Sequence, residues 1–252
     1  MARDPSVSPP VPWTWRDVLL AIVAAAVLYF VEAWLVNGPL YAPLRGLEHA
    51  LARGGLSTHV FGLILGSLVA YVAAAVAIAL FIVRSRGASW RTLGFRALAP
   101  SRLGVAILAF PATFITANSV MVLYTQIVLH NSHFVNPQQQ EIAGNATRTV
   151  PNVVGLVLIV VVLAPLVEET VFRGVLYQWL RKHLPVWAAA GISAVIFAAA
   201  HNIPEIFPWL FITGVALALV FEYCQSIAGS ALLHALVNSV GVIALLTTLP
   251  KH

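Results

Sequence analysis

Residues 167–182 read VEETVFRGVLYQWLRK and carry charge where the neighbouring sequence is apolar. The preceding stretch 153–163 is almost entirely Val, Leu and Ile, and another apolar run follows the segment. Hydropathy therefore places Glu168, Glu169 and Arg173 within the membrane. Ionisable groups there are costly, usually face a protein-lined or watery interior, and mark function. The stretch thus predicts a membrane fold and also the position of its site.

The composition excludes an ordinary soluble protein. The chain has 252 residues, of which 60% are hydrophobic and 9% charged, whereas a soluble domain carries about 25% charged residues. Several apolar runs reach the roughly 20 residues that span a bilayer. We therefore expect one all-α integral membrane domain over residues 1–252, a multi-pass bundle located in the plasma membrane if the host is bacterial.

Charge and cysteine content limit the partners. The formal charge of +5 is spread over loops, where Arg and Lys orient membrane proteins, so the lipid bilayer accounts for it and no nucleic-acid partner is needed. The single cysteine, Cys224, excludes an intrachain disulfide and provides no cysteine metal framework.

Hydropathy predicts a polar tail, residues 1–16, then three N-terminal spans within 17–129 and a helical core of four helices within 153–249. The stretches 37–58 and 130–152 are predicted to be loops. Five arginines follow the second span and predict a cytoplasmic loop. The predicted spans are Asp17–Val36, His59–Val83, Leu103–Leu129, Val153–Arg181, Val186–His201, Phe207–Gln225 and Ile227–Leu249.

Pro165 leaves two topologies open. If Val153–Arg181 is a single tilted helix, the chain has seven spans and the site lies nearer the outer face. If Pro165 breaks this stretch, there are eight spans and the C-terminal half is inverted, with the site nearer the cytoplasm. The distribution of loop cations favours seven spans only weakly.

The charged stretch itself contains the pattern Glu168-Glu169-x-x-x-Arg173. Residues four apart share a helix face, so Glu169 and Arg173 are predicted to pair, which is how a buried ionic group is tolerated. Glu168 is rotated by about 100° from Glu169 and has no such partner. Its carboxylate is therefore the candidate general base or acid.

The next helix carries Phe197-x-x-x-His201. The hairpin between the two helices turns near Leu184, almost midway between Glu168 and His201. In an antiparallel pair with a rise of about 1.5 Å per residue, the two side chains lie at the same level. We therefore expect Glu168 and His201 to face each other.

The last span carries His234-x-x-x-Asn238, again on one helix face. Both side chains can donate hydrogen bonds to a developing oxyanion. Each pattern also has a structural interpretation, since an intramembrane Asn often joins helices and a Glu–Arg pair can simply lock them. The convergence of all these groups on three helices favours a catalytic site. Glu205 and Glu222, near helix ends, are expected to have solvated or structural roles.

The ordered motifs EExxxR, FxxxH and HxxxN on consecutive membrane helices resemble the CAAX protease and bacteriocin-processing family of intramembrane proteases, also called the Abi or CPBP family. The resemblance covers about Val153–Val240 and no motif is broken. It implies an endopeptidase in which Glu168 and His201 activate water. The remaining roles that it implies are oxyanion stabilisation by His234 and Asn238, and support of the helix geometry by Glu169, Arg173 and Phe197.

The resemblance implies a membrane-associated peptide or protein substrate, such as a lipidated CAAX-type tail or a leader or bacteriocin-like peptide. Zinc is a further possibility, because His201, His234 and either glutamate could provide a three-ligand open site. The Glu168–His201 dyad can also act on water unaided, and we favour that metal-independent chemistry. The alternatives are a non-catalytic immunity or scaffold protein, and a transporter, whose paired half-repeats the sequence lacks.

Overall fold

The computed structural model describes residues 11–23, 41–130 and 134–250. Those residues form helices joined by turns and short loops, and they contain no β-strand. The predicted all-α class is therefore confirmed. The first helix, α1, covers 15–23, so the rest of the predicted first span Asp17–Val36 lies outside the described residues.

The later helices end close to the predicted limits. For the six predicted spans after the first, the observed ends lie within three residues of the predicted ones. The bounds are α2 Tyr41–Arg53, α3 Thr58–Arg84, α4 Pro100–Ile127, α5 Pro137–Asn145, α6 Val150–His183, α7 Val186–Ala200, α8 Phe207–Cys224 and α9 Ile227–Thr248.

Two stretches predicted as loops contain helices. In 37–58, α2 forms from a segment with leucines at helical spacing. In 130–152, α5 starts at Pro137, a residue suited to the first helical turn. The Asn136 side chain caps this helix by accepting a hydrogen bond from the backbone N–H of Gln138 (3.0 Å). The loop prediction relied on polar composition, which does not exclude a short helix with a capping residue and a proline at its start.

The described residues contain five long spans, whereas seven or eight are predicted for the whole chain, and most of the predicted first span lies outside the described residues. Among the described residues, five helices are long and apolar enough to cross a membrane: α3, α4, α6, α9 and the segment Pro204–Cys224 that contains α8. The apolar helix α7 has 15 residues, which is about 22 Å, and is too short to cross the bilayer fully.

Pro165 does not break α6, which runs without interruption from Val150 to His183. The helix widens into π-helical turns over Val157–Leu163 and Thr170–Tyr177, on either side of the segment that contains Pro165. Such turns accommodate a residue without an N–H and are frequent at functional sites. Of the two alternatives left open for this stretch, the structure agrees with a single long helix and not with a division at Pro165.

The packing of α7 against α8 brings the catalytic helices together. A Cβ atom on Gly214 would lie 3.0 Å from the Cα of Ala194 and 3.2 Å from the ring of Phe197. Only a residue without a side chain allows this close approach, as is common between membrane helices. The short connections between α6, α7, α8 and α9 make consecutive helices antiparallel, so the motif residues meet in the interior.

Candidate active site

The ion pair predicted within α6 is present and completely buried. Arg173 Nη1 lies 2.8 Å from Glu169 Oε1, and both side chains are 0% exposed. The other terminal nitrogen of Arg173 donates to the carbonyl oxygen of Gly214 on α8 (3.0 Å). The guanidinium carbon also lies 4.6 Å from the centre of the Phe197 ring. The pair thus joins α6 to α7 and α8.

Glu168 and His201 face each other, as the length of the hairpin predicts. Glu168 Oε2 lies 3.9 Å from His201 Nε2, and the two side chains are 23% and 25% exposed. The Nδ1 atom of His201 lies 2.8 Å from the carbonyl oxygen of Phe197. Because a carbonyl only accepts, Nδ1 carries a hydrogen, and in neutral His201 the Nε2 atom is then a hydrogen-bond acceptor.

His234 contacts both glutamates. Its Nδ1 lies 3.1 Å from Glu169 Oε1, and its Nε2 lies 3.9 Å from Glu168 Oε2. Glu169 therefore orients His234 as well as neutralising Arg173. The spacing of residues along one helix could not reveal this contact, since it depends on how α9 packs against α6.

Phe197 is the aromatic centre of the cluster. Its ring centroid lies 4.7 Å from that of His201, 5.8 Å from that of His234 and 5.1 Å from that of Phe172, all in edge-to-face orientation. It is 1% exposed. The ring therefore packs against both histidines and restricts their orientation, which agrees with the supporting position predicted for it.

Asn238 reaches a backbone carbonyl of α6. Its Nδ2 donates to the carbonyl oxygen of Val160 at 2.8 Å. In this π-helical turn the backbone N–H of Ala164 donates to the carbonyl oxygen of Ile159, five residues earlier. The corresponding donor for the carbonyl oxygen of Val160 would be Pro165, which has no N–H. Asn238 supplies the missing donor. The amide has a second N–H, and its predicted role at an oxyanion remains a prediction.

Five of the motif residues line a cavity of about 500 Å³: Glu168, Phe197, His201, His234 and Asn238. Other walls come from α3, α4, α5 and α8, none of which carries a recognisable motif. Asn118 of α4 lines the cavity, and its amide donates to Phe114 on its own helix (2.8 Å). The lining residues that sequence reasoning missed include Tyr71, Gln139 and Thr213; no local pattern signals them.

Glu222 has the structural role expected for it. Its carboxylate accepts from Arg181 (2.9 Å) and from the Tyr177 hydroxyl (2.9 Å), which joins the C-terminal ends of α6 and α8. Glu205 is exposed in the turn before α8. Neither residue lines the cavity.

The donor atoms around Glu168 are of the kinds that zinc accepts, but their arrangement is not that of a metal site. Across the described residues, no group of three His, Cys, Asp or Glu side chains is placed to hold a metal ion. Glu169 is already held by Arg173 and His234. Glu169 is therefore not free to bind an ion, and zinc binding by His201, His234 and Glu168 stays a prediction.

Comparison with known proteins agrees with the geometry. Residues 150–240 match the family model of the Rce1-like type II CAAX prenyl endopeptidases. The chain is 29% identical over 144 residues to the membrane-embedded CAAX protease MroQ of Staphylococcus aureus, which is 55% of this chain and 56% of MroQ. It is 37% identical over 59 residues to an uncharacterized 24.3 kDa protein of Escherichia coli, which is 23% of this chain and 27% of that protein.

These similarities are partial. The chain spans about half the length of MroQ and about a quarter of the Escherichia coli protein. No solved structure matches it. The matched region nevertheless extends from the start of α6 into α9 and contains every motif residue of the site. With its long apolar helices, the chain is a multi-pass integral membrane protein, and its residues 150–240 are similar to the Rce1-like CAAX prenyl endopeptidases.

Proposed function

We propose that this protein is an intramembrane endopeptidase that hydrolyses peptide bonds in membrane-associated peptides or proteins. The observation that carries the proposal is the position of Glu168 Oε2, which lies 3.9 Å from Nε2 of both His201 and His234 on the wall of one cavity. The match of residues 150–240 to a protease family model supports it, as does the similarity to a relative named as a membrane-embedded protease.

The separation of Glu168 from the histidines suits a bridging water. At 3.9 Å, the carboxylate oxygen and each imidazole nitrogen are too far apart for a direct hydrogen bond. One water can bridge polar groups at such a separation. In the proposed mechanism, Glu168 and His201 hold this water and Glu168 accepts its proton as general base.

The reaction then proceeds through a tetrahedral intermediate. The water oxygen forms a bond to the peptide carbonyl carbon, and the π electrons of the C=O bond move to the carbonyl oxygen. When the intermediate collapses, the C–N bond breaks and the proton held by Glu168 passes to the leaving nitrogen. The products are a carboxylic acid and an amine, and Glu168 returns to its carboxylate form, so atoms and charge balance without another reactant.

Donors around the cavity stabilise the oxyanion in this proposal. Asn238 uses its second amide hydrogen, because the first is engaged by Val160. His234 donates from Nε2 when both its ring nitrogens are protonated, because its Nδ1 already faces Glu169. Arg173 and Phe197 position these groups.

The proposed chemistry is metal-independent, because the groups around Glu168 already provide a base and hydrogen-bond donors. The proposed substrates are peptides that enter from the bilayer: lipidated CAAX-type tails, leader peptides or bacteriocin-like peptides. Much of the cavity wall is apolar, with residues such as Val60, Ile64, Met121 and Leu210, so it can accept an apolar segment next to the scissile bond.

The decisive experiment compares the protein termini in membranes from cells that produce the wild type, Glu168→Gln or Glu205→Gln. Glu205 is an exposed carboxylate that does not line the cavity, so Glu205→Gln is the matched control. We expect new termini with the wild type and the control, and none with Glu168→Gln at equal protein level. Equal cleavage in all three membranes would instead support the non-catalytic scaffold or immunity function.

A further inference from the structure

The Thr213 hydroxyl is a buried polar group that the site described so far does not use. Thr213 lies on α8 and is 1% exposed. Its Oγ1 forms no hydrogen bond with any residue that the structure describes. A buried hydroxyl without a partner destabilises a fold, and such groups in native proteins often have a functional reason.

Other buried threonines in the long helices behave differently. The hydroxyls of Thr113, Thr125 and Thr170 each donate to a backbone carbonyl in the preceding turn, at 2.7–2.9 Å. This bond is the usual way for threonine to satisfy its hydroxyl within a helix. Thr213 does not form it, and its side chain lines the cavity instead.

The backbone next to Thr213 is held in place by the site itself. The carbonyl oxygen of Gly214 accepts from Arg173 at 3.0 Å, and Arg173 is ion-paired with Glu169, the neighbour of Glu168. On its other side, Gly214 packs directly against Ala194 of α7. Thr213 therefore stands on a rigid element that is tied to the catalytic helix, as a preorganised donor requires.

The other donors are partly engaged. Asn238 donates one amide hydrogen to the carbonyl oxygen of Val160. The Nδ1 atom of His234 is hydrogen-bonded to Glu169, so His234 can donate into the cavity only when both ring nitrogens are protonated. Stabilising a tetrahedral oxyanion needs donors that are already aimed at it. Thr213 lines the same cavity, and its hydroxyl has no partner among the described residues.

We propose that Thr213 is a further catalytic residue, whose hydroxyl donates a hydrogen bond to the scissile carbonyl oxygen as that oxygen becomes an oxyanion. Thr213 keeps its proton throughout, and the proton that reaches the leaving nitrogen still comes from Glu168. This inference rests on the proposed endopeptidase function and deepens it.

The test compares Thr213→Val, Thr213→Ser and Thr113→Val in proteoliposomes, with a quenched fluorescent peptide that spans a Glu168-dependent cleavage site. Valine replaces the hydroxyl with a methyl group of similar size, and serine retains a hydroxyl. Thr113→Val is the matched control, since the Thr113 hydroxyl bonds only its own helix. Loss of an oxyanion donor typically lowers kcat about 10²- to 10³-fold.

We expect Thr213→Val to lower kcat by at least about tenfold while KM stays within about twofold, because the bond strengthens only in the transition state. Thr213→Ser should restore most of the lost kcat, and Thr113→Val should match the wild type. The melting temperature of Thr213→Val should not fall, since no hydrogen bond between protein groups is removed. If Thr213→Val fails to insert, Thr213→Ala removes the same hydroxyl.

An unchanged kcat in Thr213→Val would overturn the inference, as would a loss of activity matched by a loss of thermal stability. The proposed function is tested separately by the wild type against Glu168→Gln. If those two cleave equally, the endopeptidase proposal fails and the role of Thr213 fails with it. If only the wild type cleaves and Thr213→Val equals it, the inference about Thr213 alone fails.

Discussion

The side-chain amide of Asn238 lies 2.8 Å from the carbonyl oxygen of Val160 and completes a hydrogen bond that the backbone of α6 cannot form. The π-helical turn before Pro165 pairs each carbonyl with the N–H five residues later, as Ile159 with Ala164 shows. Val160 would pair with Pro165, which has no hydrogen to donate. An asparagine on α9 thus stabilises the proline turn that precedes Glu168.

This relationship predicts a coupling between Asn238 and Pro165. We expect Asn238→Val to lower the free energy of unfolding by about 1–3 kcal/mol, the cost of leaving a partly buried acceptor unpaired. In a Pro165→Ala background the loss should be smaller, because the substituted alanine has a backbone N–H that can donate to the carbonyl oxygen of Val160. Denaturation of the four proteins in micelles gives the coupling energy of this double-mutant cycle.

Asn118→Val is the control for this cycle, because the Asn118 amide donates only to the backbone carbonyl oxygen of Phe114 on its own helix. We expect this substitution to change the free energy of unfolding little. Equal losses for Asn238→Val in both backgrounds would show that the two residues act independently.

A second prediction concerns the buried ion pair. Arg173→Met should destabilise the protein by about 3–5 kcal/mol, because it leaves the completely buried Glu169 carboxylate without its counter-ion. Arg181→Met removes the partner of Glu222, whose side chain is 20% exposed, and should cost about 1 kcal/mol or less. The measurement is unfolding in micelles under one set of conditions.

The ion-pair prediction also has a compensation test. Adding Glu169→Gln to Arg173→Met should recover part of the lost stability, because no unpaired buried charge remains. Equally small losses of unfolding free energy for Arg173→Met and Arg181→Met would show that the buried Glu169 carboxylate does not need Arg173 as its counter-ion.

Parts of the site that depend on distance along a helix could be predicted from the sequence. The Glu169–Arg173 pair follows from the i,i+4 spacing, and the Glu168–His201 contact follows from the length of the hairpin, because the rise per residue is fixed. Neither needs knowledge of how other helices pack. Both contacts are present in the structure.

Contacts that depend on lateral packing could not be predicted. The bond from His234 to Glu169 requires the rotation of α9 against α6, and the position of Thr213 requires the close approach that Gly214 permits. The π-helical turns of α6 also change the angular phase of residues along it, so a uniform 100° per residue misplaces side chains. Sequence patterns within single helices contain none of this information.

A third prediction addresses the reach of the catalytic carboxylate. Glu168→Asp keeps the charge but withdraws the carboxylate by about one C–C bond from a position 3.9 Å from both histidines. A misplacement of about 1 Å can cost about 10²-fold in rate, so we expect kcat to fall by about that factor with little change in KM. Cleavage of the quenched peptide measures both constants.

The matched control for this change is Glu141→Asp, which shortens an exposed glutamate on α5 that does not line the cavity. Its kcat should equal that of the wild type. Full activity in Glu168→Asp would mean that the reaction does not depend on the position of this carboxylate.

The last prediction concerns metal dependence. Within the described residues no three side chains are arranged to hold a metal ion, and Glu169 is already occupied by Arg173 and His234. We therefore expect protein purified with a strong chelator to contain far less than one metal ion per chain and to keep its Glu168-dependent cleavage. Elemental analysis and cleavage assays on the same sample test both points. Stoichiometric zinc, with activity lost on chelation and regained on adding zinc, would contradict the metal-independent mechanism. In that case His201 and His234 would have to close around the ion, and His201→Ala would lower zinc content as well as activity.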